Sequence, residues 1–302
     1  MIYVVFLLFF SLALYIGNAA ASIFLGIIFA LGIKPEKTFI SRTIGTTPLQ
    51  IGIVILGATI SLPYAWSVSA SYLPWISLFV ISSFFMGLLL GKLLGIQRRI
   101  AFLLSAGAAI CGGTAMAAIA PIIKAKPQEL MVAMTIVFLL NALAIIFFPI
   151  MGHYLEMTNF QFGAWSALAI HDTSSVVGSA LTYSDESARV ATTLKLGRTI
   201  WIIPLILITN WVFNRETEVT KFPRFILFFI LAILLNTLFN FNAQILDILK
   251  LSSQSFLMLG LFCIGTQFKV QELKAISGRP LILALLLWLM VIPSAYWLVT
   301  YF

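Results

Sequence analysis

Apolar segments long enough to cross a lipid bilayer recur along the whole sequence, and they limit the fold more than any other feature. A spanning helix needs about 20 apolar residues, and in lipid such a run has to be helical to satisfy its backbone. None of these segments alternates with period two, as barrel strands would. Eleven can be read, at about 2–16, 19–33, 46–62, 73–92, 101–123, 128–150, 160–182, 188–213, 223–240, 254–268 and 280–301.

Composition agrees with this pattern, since 61% of the residues are hydrophobic and only 9% are charged, against about 25% charged in soluble domains. The sequence therefore predicts an all-α polytopic membrane protein with about 9–11 transmembrane segments. Residues 1–18 lack a basic leader and predict a short N-terminal helix. The charged residues behind the net charge of +8 lie between membrane segments and orient the chain, so the charge does not indicate nucleic-acid binding. The expected partner is the lipid bilayer, and no nucleic-acid partner is expected.

The basic linkers predict the orientation, because Lys and Arg favour the cytoplasmic side. If all eleven segments crossed, the basic linker 124–129 would lie outside and the acidic linker 151–159 inside. The rule holds if segments 101–123 and 160–182 enter and leave on the same side. That interpretation gives nine crossings and a cytoplasmic N-terminus. The alternative is that both segments are broken helices that do cross; either way, two helices are interrupted.

An internal repeat indicates duplication. Residues 49–62 and 257–270 align without gaps, with the matched pairs Leu49–Leu257, Gly52–Gly260 and Gly57–Gly265. With re-entry counted, the two copies run in opposite directions, which makes 19–150 an inverted partner of 160–302. Inverted-topology repeats with two interrupted helices meeting at the membrane midplane are a transporter architecture. The two halves are expected to form one membrane domain.

The first interruption lies at Gly112 and Gly113. Paired glycines release backbone freedom, and Thr114 is expected to cap the helix that restarts after them. The free N–H groups of a restarted helix make an anion site in outline. The alternative is close helix packing through small residues, which membrane helices favour.

The second interruption contains His171 and Asp172. Asp172, or Thr173, is expected to cap a half-helix that starts at Ser174, and Ser174 and Ser175 are expected at the substrate site. One interpretation makes Asp172 only a cap. A charge in hydrocarbon costs about 2.5–3.5 kcal/mol, and a residue that carries one there is usually functional. The other interpretation therefore makes His171 and Asp172 the pair that couples transport to an ion. The imidazole titrates near neutral pH, and the carboxylate can bind a proton or Na⁺.

Two cations follow in the next segment. Lys195 and Arg198 are three residues apart and share a helix face. They are expected either to neutralise Asp172 or to hold an anionic substrate. The alternative is that both side chains extend to the outer surface.

Motifs for ATP hydrolysis, zinc hydrolysis and esterase chemistry are missing from the sequence. We therefore expect no enzyme activity, no metal site and no cofactor. Three rivals stay open: a cation/proton antiporter in which Lys195 competes for Asp172, a membrane enzyme acting on a lipid-linked group through His171 and Asp172, and a passive channel. The sequence also leaves a homodimer open.

Four blocks of the sequence resemble the YeiH-type sulfate exporter family of bacterial inner-membrane proteins. The blocks are SAGAAICGGTAMAAIAPIIKAKPQEL, ALAIHDTSSVVGSA, TLKLGRTIWIIPLIL and GLFCIGTQFKVQELKAISGRPL. The family pattern of Ile-Cys-Gly is matched at Ile110–Ala115, and its Lys followed by Arg at Lys195 and Arg198. Where the family often has Glu after His, this chain has Asp172, which is one methylene shorter. The N-terminus is also shorter than is usual there.

The resemblance covers nearly the whole chain, and the family is similar to the cation:proton antiporter and anion transporter superfamily. It implies inverted repeats, discontinuous helices and an anionic sulfur compound as substrate. Together with the residues, it predicts a secondary active transporter that moves a small anion, such as sulfate or an organic sulfonate, across the bacterial inner membrane. Gly112, Gly113 and Thr114 would then bind the substrate with Lys195 and Arg198, and protons or sodium ions would drive its transport.

Overall fold

The computed structural model of the chain describes residues 2–17, 19–33, 39–44, 47–213, 224–266 and 278–301. Every regular element within these ranges is a helix, and five helices are long and apolar enough to span a membrane. Four shorter apolar helices accompany them. The all-α polytopic class is therefore confirmed. Three of the predicted basic linkers lie mostly outside the described residues: 34–42, 215–224 and 269–279.

The chain forms two compact units, each of which takes residues from both predicted halves. The first comprises Met1–Ser67 and Phe222–Val270, and the second Val68–Lys221 and Gln271–Phe302. The helices of the first are α1 (Ile2–Ile16), α2 (Ala19–Ile33), α3 (Ile40–Ile44), α4 (Thr47–Gly57), α13 (Arg224–Phe239) and α14 (Ala243–Thr266). Those of the second are most of α5 (Leu62–Leu93), then α6 (Arg98–Ala109), α7 (Gly113–Ile119), α8 (Pro127–Tyr154), α9 (Asn159–Ala169), α10 (Thr173–Tyr183), α11 (Asp185–Thr199), α12 (Ile202–Phe213) and α15 (Gly278–Tyr301).

Two predicted boundaries are wrong. Helix α5 begins at Leu62 and runs through the expected linker 62–73, while α14 begins at Ala243 and covers most of the expected linker 240–253. Both stretches are less apolar than their neighbours, but they contain good helix formers, and polarity alone does not end a helix. The expected segment 188–213 is confirmed as one apolar span, Asp185–Phe213, in which a turn at residues 200–201 separates α11 from α12.

In the first unit, α14 packs against α2 and α4, and the two repeat copies contact each other reciprocally. A Cβ atom added to Gly52 would lie 2.8 Å from Leu257 Cγ, and one added to Gly260 would lie 2.6 Å from Leu49 N. Each glycine of one copy therefore packs on the leucine that precedes the glycine of the other. Because the contacts progress in opposite chain directions, α4 and α14 are antiparallel where they touch.

Candidate functional site

The second interrupted segment is a helical hairpin, which we call hairpin 2 (α9 and α10). Tyr183, the last residue of α10, returns to the start of α9: its hydroxyl donates to Met157 O at 2.5 Å. Its ring also stacks on Phe162 with centroids 3.9 Å apart. Each arm has 11 residues and spans only about 16 Å, half of the hydrocarbon thickness. The segment therefore doubles back on itself, as the re-entry interpretation expects.

The first interrupted segment is a second hairpin, hairpin 1 (α6 and α7). A Cβ atom on Gly107 in α6 would lie 3.2 Å from Met116 Cγ in α7, so the two arms face each other. After α7 the chain turns, and α8 begins beside the start of α6, where Arg99 and Glu129 come within 4.0 Å. Hairpin 1 therefore also opens on the side from which it entered.

Helix α8 shows that the hairpins open in opposite directions. Its 28 residues extend over about 42 Å. It begins at the opening of hairpin 1 and ends at the opening of hairpin 2, where the rings of His153 and Tyr183 stack with centroids 4.3 Å apart. The opening of hairpin 1 is rich in Lys and Arg, and that of hairpin 2 carries Glu156, Asp185 and Glu186.

Cysteine labelling tests this topology. We expect Lys92→Cys and Lys126→Cys to react with an impermeant maleimide from one face of the membrane, and Tyr154→Cys and Glu186→Cys from the other. All four native side chains are exposed, whereas Cys111 and Cys263 are buried. If 101–123 crossed the membrane, Lys92→Cys and Lys126→Cys would label from opposite faces.

The tips of the two hairpins meet beside the middle of α8; we call this place the junction. Gly112 is the N-cap of α7, with φ of 58°, a backbone conformation that favours glycine. A Cβ atom there would lie 3.4 Å from both Asp172 Cβ and Val137 Cγ1. In the other tip, His171 N donates to Asn141 Oδ1 of α8 at 3.3 Å. The structure thus brings Gly112 and Asp172 together.

Asp172 caps α10. Its Oδ2 accepts from Ser174 N at 3.0 Å and Ser175 N at 3.3 Å, and the helix begins at Thr173 instead of the expected Ser174. The N–H groups of Ser174 and Ser175, two residues expected at the substrate site, are therefore already bound to this carboxylate. Ser175 is buried and Ser174 is half-buried at the same helix end.

The expectation that Thr114 caps α7 is wrong. Gly112 occupies the cap position without a side-chain bond, Gly113 is the first helical residue, and the Thr114 side chain is exposed. Helix α7 starts one residue earlier than expected because Gly112, with no Cβ, adopts the turn conformation itself. Gly113 is half-buried, with Phe138 as its neighbour.

Lys195 and Arg198 are buried, with exposed fractions of 0% and 1%, so the alternative that they extend to the surface is wrong. Helix α11 runs parallel to α9: Ser187 near its start donates to Asn159 O, and Arg198 reaches the far end of α9. Lys195 is therefore about 15 Å inside the helix start. Its Nζ donates to Ile170 O at 2.8 Å, in the tip of hairpin 2.

Arg198 joins both hairpins. Its Nε and Nη2 donate to carbonyls at the end of α6, and its Nη1 donates to two carbonyls near the end of α9. The ring of Phe79 lies 5.7 Å from the guanidinium carbon. Within the described residues, no Lys or Arg nitrogen comes within 4.0 Å of the Asp172 carboxylate, so the expected neutralisation by a direct ion pair is not found.

His171 is 1% exposed and lies in the tip of hairpin 2, where its Nδ1 has no hydrogen-bond partner among the described residues. The Nδ2 atom of Asn141 is also buried and unpaired within this part of the chain. No sequence feature distinguishes Trp288, whose Nε1 donates to Ala169 O at 3.2 Å. An aromatic residue in an apolar helix carries no sequence signal for such a contact.

The chain belongs to the protein family described as "Conserved hypothetical protein 698", whose model matches residues 3–284. A UPF0324 membrane protein of Bacteroides thetaiotaomicron is 38% identical over 272 residues, which cover 89% of this chain and 82% of the relative. One from Vibrio vulnificus is 37% identical over 293 residues, covering 95% and 94%. No solved structure gives a significant match. These names agree with a multi-pass membrane protein.

Proposed function

We propose that this protein is a secondary transporter of a small anion in the bacterial inner membrane. The observation that carries the proposal is the junction, where hairpins from opposite ends of α8 meet beside two buried cations. Each hairpin extends through only half of the hydrocarbon thickness and closes the route to the junction from one side of the membrane. Movement of the hairpin arms around their joined tips would expose the site to alternate sides, as secondary transporters require.

The charges at the junction favour an anion. Lys195, Arg198 and Asp172 together carry one excess positive charge when all three are ionised. The two hairpins each bring a helix C-terminus and a helix N-terminus to this place, so their dipoles largely cancel. The net positive charge is therefore left to attract a ligand.

Lys195 is the best substrate ligand among the predicted residues. Its ammonium has three N–H donors and uses one on Ile170 O, its only hydrogen-bond acceptor within the described residues. Arg198 has five donors and makes four hydrogen bonds to carbonyls. Lys195 therefore keeps free donors for an oxyanion, such as sulfate or an organic sulfonate.

Asp172 and His171 support a coupled mechanism. An ionised carboxylate beside the site repels an anion, and protonation or Na⁺ binding removes the repulsion. The unpaired Nδ1 of His171 lies in the same hairpin tip and is a second proton-binding group there. The acidic opening of hairpin 2 and the basic opening of hairpin 1 support a cytoplasmic N-terminus.

Proteoliposome flux tests this proposal. We expect saturable uptake of labelled sulfate, raised by a pH or Na⁺ gradient and lacking in empty vesicles. Uptake of labelled Na⁺ coupled to protons, with no anion flux, would instead identify the cation/proton antiporter. Flux without saturation or response to gradients would identify a channel.

A further inference from the structure

The guanidinium of Arg198 lies in a cage of four backbone carbonyl oxygens from two helix ends. Ala109 O and Ala108 O, at the end of α6, accept at 2.7 and 2.5 Å. Ala167 O and Leu168 O, in the last turn of α9, accept at 3.0 and 2.6 Å. The last four carbonyls of a helix have no partner inside it and carry partial negative charge. The cage therefore gathers the negative ends of two helices at one buried place.

Carbonyl oxygens arranged in this way are the ligands with which proteins bind hard cations. Here a side chain supplies the cation. The planar guanidinium presents its N–H groups as a fork, so one arm reaches α6 and the other α9. The ring of Phe79, 5.7 Å away, adds a cation–π contact.

We propose that this cage is a cation site that Arg198 occupies permanently, in place of an ion from solution. Arg198 is then a positioning residue: the tethered cation holds the two hairpin tips together, and no Na⁺ or K⁺ is needed there. The inference concerns the same junction as the proposed function, and only its transport consequence rests on that function. Any coupling ion would have to act elsewhere, at Asp172.

Chemical rescue tests the cage. The substitution Arg198→Ala removes six non-hydrogen side-chain atoms, and ethylguanidinium consists of the six corresponding atoms. We expect Arg198→Ala to melt at a lower temperature than the wild type, and millimolar ethylguanidinium to raise its melting temperature by about 2 °C or more. The wild-type melting temperature is expected to respond neither to ethylguanidinium nor to exchange of Na⁺ for K⁺.

Arg189→Ala is the matched control, because Arg189 lies on the same helix and its buried Nε has no partner among the described residues. Ethylguanidinium should leave this variant unchanged, and ethylurea, a neutral analogue, should leave both variants unchanged. Equal shifts in the two variants, or no shift in Arg198→Ala, would overturn the inference.

A second pair of variants covers the case in which Arg198→Ala does not accumulate. Lys and Gln have similar lengths, but only Lys brings a positive charge into the cage. We expect Arg198→Lys to melt at a higher temperature than Arg198→Gln, and equal or reversed stabilities would contradict a cation site. These measurements need no substrate, so they test the cation site even if the protein does not transport sulfate.

Flux adds a readout that a purely structural role would not move. If anion transport is established, ethylguanidinium should restore sulfate flux in Arg198→Ala and leave flux in Arg189→Ala unchanged. Restored stability without restored flux would contradict the positioning role of the tethered cation.

Discussion

Replacing Lys195 with Met is expected to lower sulfate flux by about 10- to 100-fold, because a hydrogen bond to a charged group contributes about 1.5–3 kcal/mol. Met has nearly the length of Lys and fills the same space, but it has no charge and no N–H donor. Burying the ammonium costs desolvation free energy, so its removal offsets part of the loss of the hydrogen bond to Ile170 O. We therefore expect the loss in flux without a comparable loss in melting temperature.

The matched control for this prediction is Lys250→Met. Lys250 is an exposed helical lysine paired with Asp247 at 3.4 Å, and exposed pairs contribute little to stability. Its flux should equal that of the wild type. The assignment of Lys195 to the substrate is wrong if both variants carry sulfate at the same rate, or if Lys195→Met loses flux only because it unfolds.

Replacing Asp172 with Asn is expected to separate its two roles. Asn caps a helix about as well as Asp, so the stability of hairpin 2 should change little. The variant cannot be protonated or ionised, so we expect sulfate flux to lose its response to a pH or Na⁺ gradient. Asp172→Ala should lose the cap as well, at about 0.5–2 kcal/mol, and melt at a lower temperature than Asp172→Asn.

Ser184→Ala gives the control for capping alone. Ser184 caps α11 by accepting from Ser187 N at 3.0 Å, outside the junction. It should lower the melting temperature and leave the gradient response unchanged. If gradient-driven flux survives in Asp172→Asn, Asp172 is a helix cap only. If flux is unchanged in the double variant Asp172→Asn, Lys195→Ala, neither residue belongs to the substrate site.

Much of the candidate site could be predicted because its residues are unusual in an apolar chain. Gly112 and Gly113 interrupt a helix, and His171 and Asp172 are costly in lipid, so both hairpin tips could be found within a few residues. The location of Lys195 and Arg198 could not, since a cation near a helix end can turn outward or inward with the same sequence. In the folded protein both side chains point inward, because carbonyl oxygens at the hairpin tips accept their hydrogen bonds.

The sequence by itself determined the helical membrane class and the positions of the two interruptions, because hydrocarbon solvent leaves few choices for apolar runs and for buried charges. Linker charge favoured re-entry, but it could not establish that α10 returns to α9. That depends on the contacts of Tyr183 with Met157 and Phe162, which join residues more than 20 positions apart. The partners of Arg198 were likewise decided only by tertiary structure, because its acceptors are backbone carbonyls, which every residue has and no sequence pattern distinguishes.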